Sequence, residues 1–324
     1  MSFGKSLRLF IAVMTALSIS SVLAQSEYPA KPIHVVITFP PGGSVDVVPR
    51  LVGQKLSERW GQAWVFENRP GAGGQIGVQA VLMAPADGYT ILVGPTGAIS
   101  INPSLYKKLA YDPLKDLVPI APLAKTAMVL MVPADWSGTV KDLVDQSRAR
   151  PEAFTFGFGG NGTTMHLVGE MFRAATGAKL MPVPYKTSGE VIADLAGGRL
   201  SAGWVDVNFA LTGIRSGRAR AIAVSLNERL PTLPDIPTVS ETVHPGFDAA
   251  GWFGLFARAG TPPEVIAKLS ADTRTVLAMP DVRERILATG NVPWWISPDE
   301  YAAFVSAEIA KWAKAVKDSG AQIQ

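Results

Sequence analysis

The chain has no cysteine. That excludes disulfides, thiolate-held metals and a lipid-modified amino-terminal cysteine, so stability must come from a core. Histidine is nearly as scarce. His34 sits in an apolar run, His166 behind a glycine-rich stretch and His244 in a proline loop. Three residues so scattered make no metal constellation, and none is expected. An excess of one charge is missing too. Thirty basic and 27 acidic side chains give a formal net charge of +3. Lys5 and Arg8 are the only charged residues among 1–24, so the remainder carries 28 basic against 27 acidic groups, a net of +1. That balance gives no support to nucleic acid as a partner.

Residues 1–24 resemble a removable export signal. A basic start is followed by Leu9 to Ile19, apolar except for Thr15 and Ser18, and then by the small–x–small pattern Val22-Leu23-Ala24. Gln25 is the expected first residue of the mature chain. An exported protein without disulfides fits the periplasm of a Gram-negative cell. Elsewhere no stretch reaches about 18 uninterrupted apolar residues, the length of a membrane-spanning helix. With 324 residues, 48% of them hydrophobic, the chain can bury a large core, and two domains are the natural expectation.

What is plentiful is glycine at strand-to-helix junctions. The run Ile33 to Phe39 is strand-like. Pro40-Pro41-Gly42-Gly43 follows, and then Val45, Val48, Val52, Leu56 and Trp60 recur at helical spacing. Free N–H groups at such a helix start, together with the dipole, suit an anion. Ser44 is placed to cap this helix and Asp46 falls in its first turn. Asp46 either accepts from a ligand amine or serves the dipole. The turn has neither the Gly-Lys-Ser/Thr of a phosphate loop nor G-x-G-x-x-G, so no nucleotide cofactor is expected. Asn68 to Gly74 is a second glycine-rich turn and Gly157 to Gly162 a third, the latter entering a helix at Thr163-Thr164. Strands alternating with helices predict mostly parallel sheets covered by helices. Residues 102–122, with four prolines, read as irregular. Ligands in α/β folds bind beyond strand carboxyl ends, which adds Thr96, Gly97 and Asp206 as candidates.

Taken in order, Phe39 to Asp46, Glu67 to Gly74, Pro85 to Thr90, Asn102 to Tyr106, Tyr111-Asp112-Pro113, Gly160 to Thr163 with His166 and Glu170, Val183 to Lys186, Pro237 to Val239 and Gly251 to Phe256 resemble the Bug family. These are the solute-binding proteins of tripartite tricarboxylate transporters, and the likeness spans nearly the whole mature chain. It implies a periplasmic-binding-protein-like (type II) Venus flytrap. Two Rossmann-like α/β domains, 25–125 with 246–324 and 126–245, would enclose a ligand cleft. It implies a monomer that binds a small organic carboxylate for transporter membrane subunits or for a sensor kinase. Carried over by position, Phe39, Pro41, Gly42, Gly43, Ser44 and Asp46 would line one jaw. Gly160, Asn161, Gly162, Thr163 and Thr164 would line the other.

Three positions depart from the family pattern: Phe158, Thr187 and Arg258. Phe158 is expected either to remove a polar contact or to wall the ligand, which favours an aromatic or otherwise apolar acid. His166 reads as a packing residue more readily than as a ligand contact, Lys186 as a solvated turn lysine, and Trp252 as a core residue within reach of the cleft. A Ser44/His166/Asp206 triad is the remaining hydrolase reading. The chain has no G-x-S-x-G elbow, and it is expected not to be an enzyme.

Overall fold

The computed structural model describes residues 28–319, with side chains to 317. The export signal expected at 1–24 lies outside the described residues. The chain divides into a unit ending at Ala30 and one beginning at Lys31, and the second carries the elements that follow.

One sheet has the order β11–β4–β10–β3–β1–β2. Its strands are β1 (Ile33–Ile37), β2 (Trp64–Asn68), β3 (Thr90–Pro95), β4 (Leu117–Thr126), β10 (Gly251–Arg258) and β11 (Val292–Pro293). The other has the order β7–β6–β8–β5–β9. It comprises β5 (Met128–Pro133), β6 (Thr155–Gly159), β7 (Met181–Tyr185), β8 (Ala202–Asp206) and β9 (Ala219–Val224). The parallel expectation holds for only part of each sheet. β2, β1 and β3 are parallel, as are β7, β6 and β8, where right-handed strand–helix–strand connections apply. β10, β4 and β11 join the first sheet antiparallel to their neighbours, and β5 pairs antiparallel with β8 on one side and β9 on the other. One passage between the sheets falls among them: β4 leads into β5 across the single residue Ala127.

The proline-rich stretch read as irregular is largely ordered. β4 pairs with β10 over its length, with register shifts that leave Leu123 and Ile120 unpaired, next to Pro122 and Pro119. Bulges let a strand hold residues that cannot donate to the ladder. Gly254 is required on the facing strand, because a Cβ there would lie 2.6 Å from the Ala121 carbonyl.

Helices cover the sheets with the faces their periodicity predicts. In α1 (Ser44–Trp60), Val48, Val52 and Leu56 are buried, while Val45 and Trp60 are half-buried. α2 (Gln75–Leu82), α3 (Val140–Ala149), α4 (Thr164–Thr176), α5 (Ser188–Ala196) and α6 (Val207–Arg215) each follow a strand or turn. The chain ends in α7 (Pro263–Leu277), α8 (Pro280–Ala288) and α9 (Pro298–Ser319). Among the described residues no helix is long and apolar enough to cross a membrane.

Candidate functional site between three glycine turns

The first turn is closed by its own helix. Gly42 has φ +96°, a conformation that favours glycine, and Gly43 rather than Ser44 is the helix cap. The Asp46 carboxylate accepts from the Gly42 N–H at 3.0 Å, from Arg50 Nε at 2.8 Å and from Asn68 Nδ2 at 2.9 Å. Asn68 also donates to the Phe39 carbonyl. Asp46 therefore holds the turn in shape, and its lone pairs are engaged by protein donors; the ligand-amine alternative is corrected.

The third turn repeats the design with a different cap. Gly160 and Gly162 take φ +94° and +78°. The Thr163 hydroxyl donates to the Gly160 carbonyl at 2.8 Å and accepts from the His166 N–H at 3.4 Å, capping α4. Thr164, one residue further, is buried in the first turn of the helix. His166 Nδ1 accepts from the Gly162 N–H at 3.4 Å, and the ring stacks on Phe158 at 4.5 Å. Burial, with a lesser contribution from Arg173, pushes this imidazole down to about 4, so it is neutral near pH 7. The packing reading of His166 is the one the geometry supports.

Phe158 does not face the ligand side. Successive residues of β6 alternate faces. Phe156 and Phe158 point into the core against α4, whereas Gly157 and Gly159 face α5, where a Cβ on Gly159 would meet Ser188. The expectation that Phe158 walls or depletes the ligand site is corrected. Trp252 is likewise core: its indole donates to Glu308 at 2.9 Å and packs on Tyr301 and Phe304. Thr96, at the end of β3, accepts from the Trp252 N–H at 2.7 Å and donates to the Trp252 carbonyl at 3.0 Å, so it braces two strands. Gly97 matters through closeness. A Cβ there would lie 2.8 Å from the Gly162 carbonyl.

Asp206 ends β8 and bridges the sheets. Its Oδ1 accepts from the Ser44 N–H at 3.4 Å and hydroxyl at 3.1 Å, and from Asn208 and Phe209 N–H groups at 3.2 and 3.5 Å. It thus caps α6 and stands at the start of α1 as well. Asn208 Nδ2 donates to the Gly42 carbonyl at 2.6 Å, and Asn291 Nδ2 donates to the Ser44 hydroxyl at 3.1 Å. Burial pushes the Asp206 carboxyl up, against the lowering effect of its donors. Ser44 thus pairs directly with Asp206, while His166 stacks elsewhere, so no triad is assembled among the described residues.

A cavity of about 650 Å³ opens between the three turns. Thr38, Phe39 and Pro40 line it from the first, Pro70 to Gly74 from the second, and Gly159, Gly160, Asn161 and Thr163 from the third, with Tyr106, Tyr185 and Lys186 completing the wall. Pro41 and Gly42 are exposed and are not among its lining residues, and Gly43 borders a smaller space of about 20 Å³ next to Asp206. The wall carries one charged side chain, Lys186, whose ammonium pairs with no carboxylate among the described residues. Tyr106 and Asn102 flank Gly73 and Gly162: Cβ atoms there would lie 2.9 Å and 3.2 Å from the Tyr106 hydroxyl and 3.2 Å and 3.0 Å from Asn102 Oδ1. Burial pushes the Tyr106 phenol up, leaving it a neutral donor. Sequence reasoning missed Tyr106, Tyr185, the second glycine turn and Lys186 as wall residues. The glycine clustering of 71–74 was the available signal for one of them.

Comparison with known proteins gives a consistent picture. A family model described as "Tripartite tricarboxylate transporter family receptor" matches residues 48–321. Protein BugT of Bordetella pertussis is 36% identical over 316 residues, covering 97% of each chain. An R. palustris protein solved with adipate superposes with a TM-score of 0.88 at 33% identity, over 92% of this chain and all of that one. The periplasmic binding protein BugD superposes with a TM-score of 0.85 at 32% identity, over 92% of this chain and all of that one. MatC from Rhodopseudomonas palustris, solved with bound malate, gives 0.83 at 29%, over 89% of this chain and all of that one. The fold is thus periplasmic-binding-protein-like, with two α/β sheet layers.

Proposed function

Because the chain belongs to the tripartite tricarboxylate transporter receptor family, whose members are solute-binding proteins and not enzymes, we propose that it captures a small organic carboxylate in the cavity between its glycine turns. The observation that carries this reading is the charge of the wall: one unpaired ammonium, Lys186, no acid, and glycine-rich backbone. Backbone N–H groups and a helix start that face an anion in a partly enclosed site each contribute up to about 2 kcal/mol. The relatives solved with adipate and malate support a carboxylate as cargo. Phe39, Gly160, Asn161 and Thr163 are the proposed ligand contacts among the residues expected from sequence, with Lys186 and Tyr106 added. On this reading the receptor works in the periplasm and delivers its cargo to the membrane subunits of a tripartite tricarboxylate transporter, a role the description of its family supports. The two lobes of the proposed flytrap are 25–125 with 246–324 and 126–245, the chain crossing between them at the end of β4 and ahead of β10. A ligand touching both would favour their closed arrangement.

A thermal-shift panel on refolded mature protein tests this. It would contain dicarboxylates, tricarboxylates, amino acids, nicotinate and benzoate-type acids. A ligand at 100 times its Kd stabilises by about 2.7 kcal/mol. We expect at least one carboxylate to raise Tm, and Thr163→Val and Lys186→Met each to reduce that rise. A folded protein that responds to no carboxylate at millimolar concentration would sink the proposal.

A further inference from the structure

We propose that Asn102 is a positioning residue that fixes the spacing of the second and third glycine turns, and with it the length of acid the cavity accepts; this rests on the carboxylate reading above. Asn102 opens the short helix Asn102–Leu105 and is fully buried. It does not line the cavity. It stands behind the wall, where the two turns meet. Its Nδ2 donates to the Gly73 carbonyl at 3.0 Å and to the Tyr111 hydroxyl at 3.3 Å. Tyr111 in turn donates to the Ala98 carbonyl. The second turn is thereby tied to the segment after β3.

The other end of the amide is placed differently. Oδ1 is buried and accepts from no N–H or O–H among the described residues. A Cβ on Gly73 would lie 3.2 Å from it, and a Cβ on Gly162 3.0 Å. Its near neighbours are thus one glycine from each turn, whose α-carbons are weak donors. The same Cβ on Gly73 would lie 3.2 Å from the Asn161 carbonyl, so the turns approach each other directly there. A buried acceptor without a donor is destabilising, and the spacing it enforces accounts for it. Gly73 and Asn161 line the cavity, one from each turn. The gap that Asn102 fills therefore sets the distance across the cavity between them. An acid that holds both turns must match that distance, and a misfit of one methylene costs about tenfold or more in affinity.

Titration calorimetry with unbranched dicarboxylates from succinate to suberate would read the preferred chain length, with folding checked by circular dichroism. Asn102→Ala removes spacer and tether together, and the turns close on the vacated space. We expect the preferred acid to become shorter and the succinate-to-adipate affinity ratio to rise at least about tenfold. Asn102→Ser is the substitute if the alanine variant does not fold. Asn102→Asp keeps the size of the spacer, and burial favours its neutral form, whose O–H donates to the Gly73 carbonyl. It should restore the wild-type chain length, a rescue that a role in stability alone does not predict. Affinities that fall together in Asn102→Ala, with the ratio unchanged, overturn the inference while leaving the carboxylate reading intact. So does a wild type that binds none of the series while another acid of the wider panel raises Tm. If the folded wild type binds no acid at all, the carboxylate reading itself falls.

Discussion

His166 shows how one side chain links stability to pH. Its ring is buried against Phe158, and its pKa falls to about 4, against about 6.5 in an unfolded chain. Below pH 6.5 the unfolded chain takes up a proton that the folded one refuses, so this contribution is fully present above 6.5 and is lost as pH falls toward 4. Between pH 7 and pH 5 the loss is about 2 kcal/mol. Denaturant midpoints of the wild type and His166→Gln at both pH values isolate the effect. The wild type should lose about 2 kcal/mol more than the variant across that range. A parallel loss would show that the imidazole titrates normally. Asp46 makes a different prediction. Asp46→Ala leaves the Gly42 N–H, Arg50 and Asn68 without their shared acceptor, which should cost about 1–3 kcal/mol. It should also weaken carboxylate binding, because the turn loses its brace; unchanged affinity in calorimetry would separate the turn from the site.

At the scale of elements, strand–turn–helix units were legible because each local rule agreed. Short apolar runs, glycine at the turn and period-3.6 spacing all pointed one way for β1 to α1 and for β6 to α4. β4 was hidden because proline was read as a breaker, whereas here it sits beside bulges that already interrupt the ladder. Phe158 was misplaced for want of strand parity: Phe156 and Phe158 share a face, so a core role for one implies it for the other. Thr96 followed the rule for strand ends, but a hydroxyl between two strands found backbone partners first. Gly97 yields the element-scale prediction. Its missing Cβ lets the start of the segment after β3 approach the Gly162 carbonyl. Gly97→Ala would force the Gly160–Thr163 turn outward. Overpacking of this kind costs about 1–3 kcal/mol. Carboxylate affinity should fall by more than tenfold, the equivalent of about 1.4 kcal/mol. Full binding with only a lowered Tm would show that the turn adapts.

What no sequence rule reaches is pairing across the whole molecule. Ser44 meets Asp206 across 162 positions and Asn208 meets Gly42 across 166, and no periodicity encodes such partners. The last helix is the larger case. α9 sends Tyr301 and Val305 into the core of the first sheet and Trp312 and Val316 into that of the second. Between them, Glu308 is buried and accepts from the Trp252 and Trp312 indoles, each at 2.9 Å, and from Lys311 at 3.1 Å. One carboxylate thereby ties a strand of the first sheet to a tryptophan packed in the second core. Glu308→Ala would leave two buried indole N–H groups without acceptors, a cost of roughly 2–5 kcal/mol. Glu308→Gln keeps one oxygen between the indoles and should recover part of that. Because α9 belongs to both cores, unfolding followed by tryptophan fluorescence and by far-ultraviolet circular dichroism should give coincident midpoints in the wild type. In Glu308→Ala both midpoints should move to lower denaturant. If only one probe shifts, or the transitions separate, α9 does not couple the two sheets and the residue is a local packing contact.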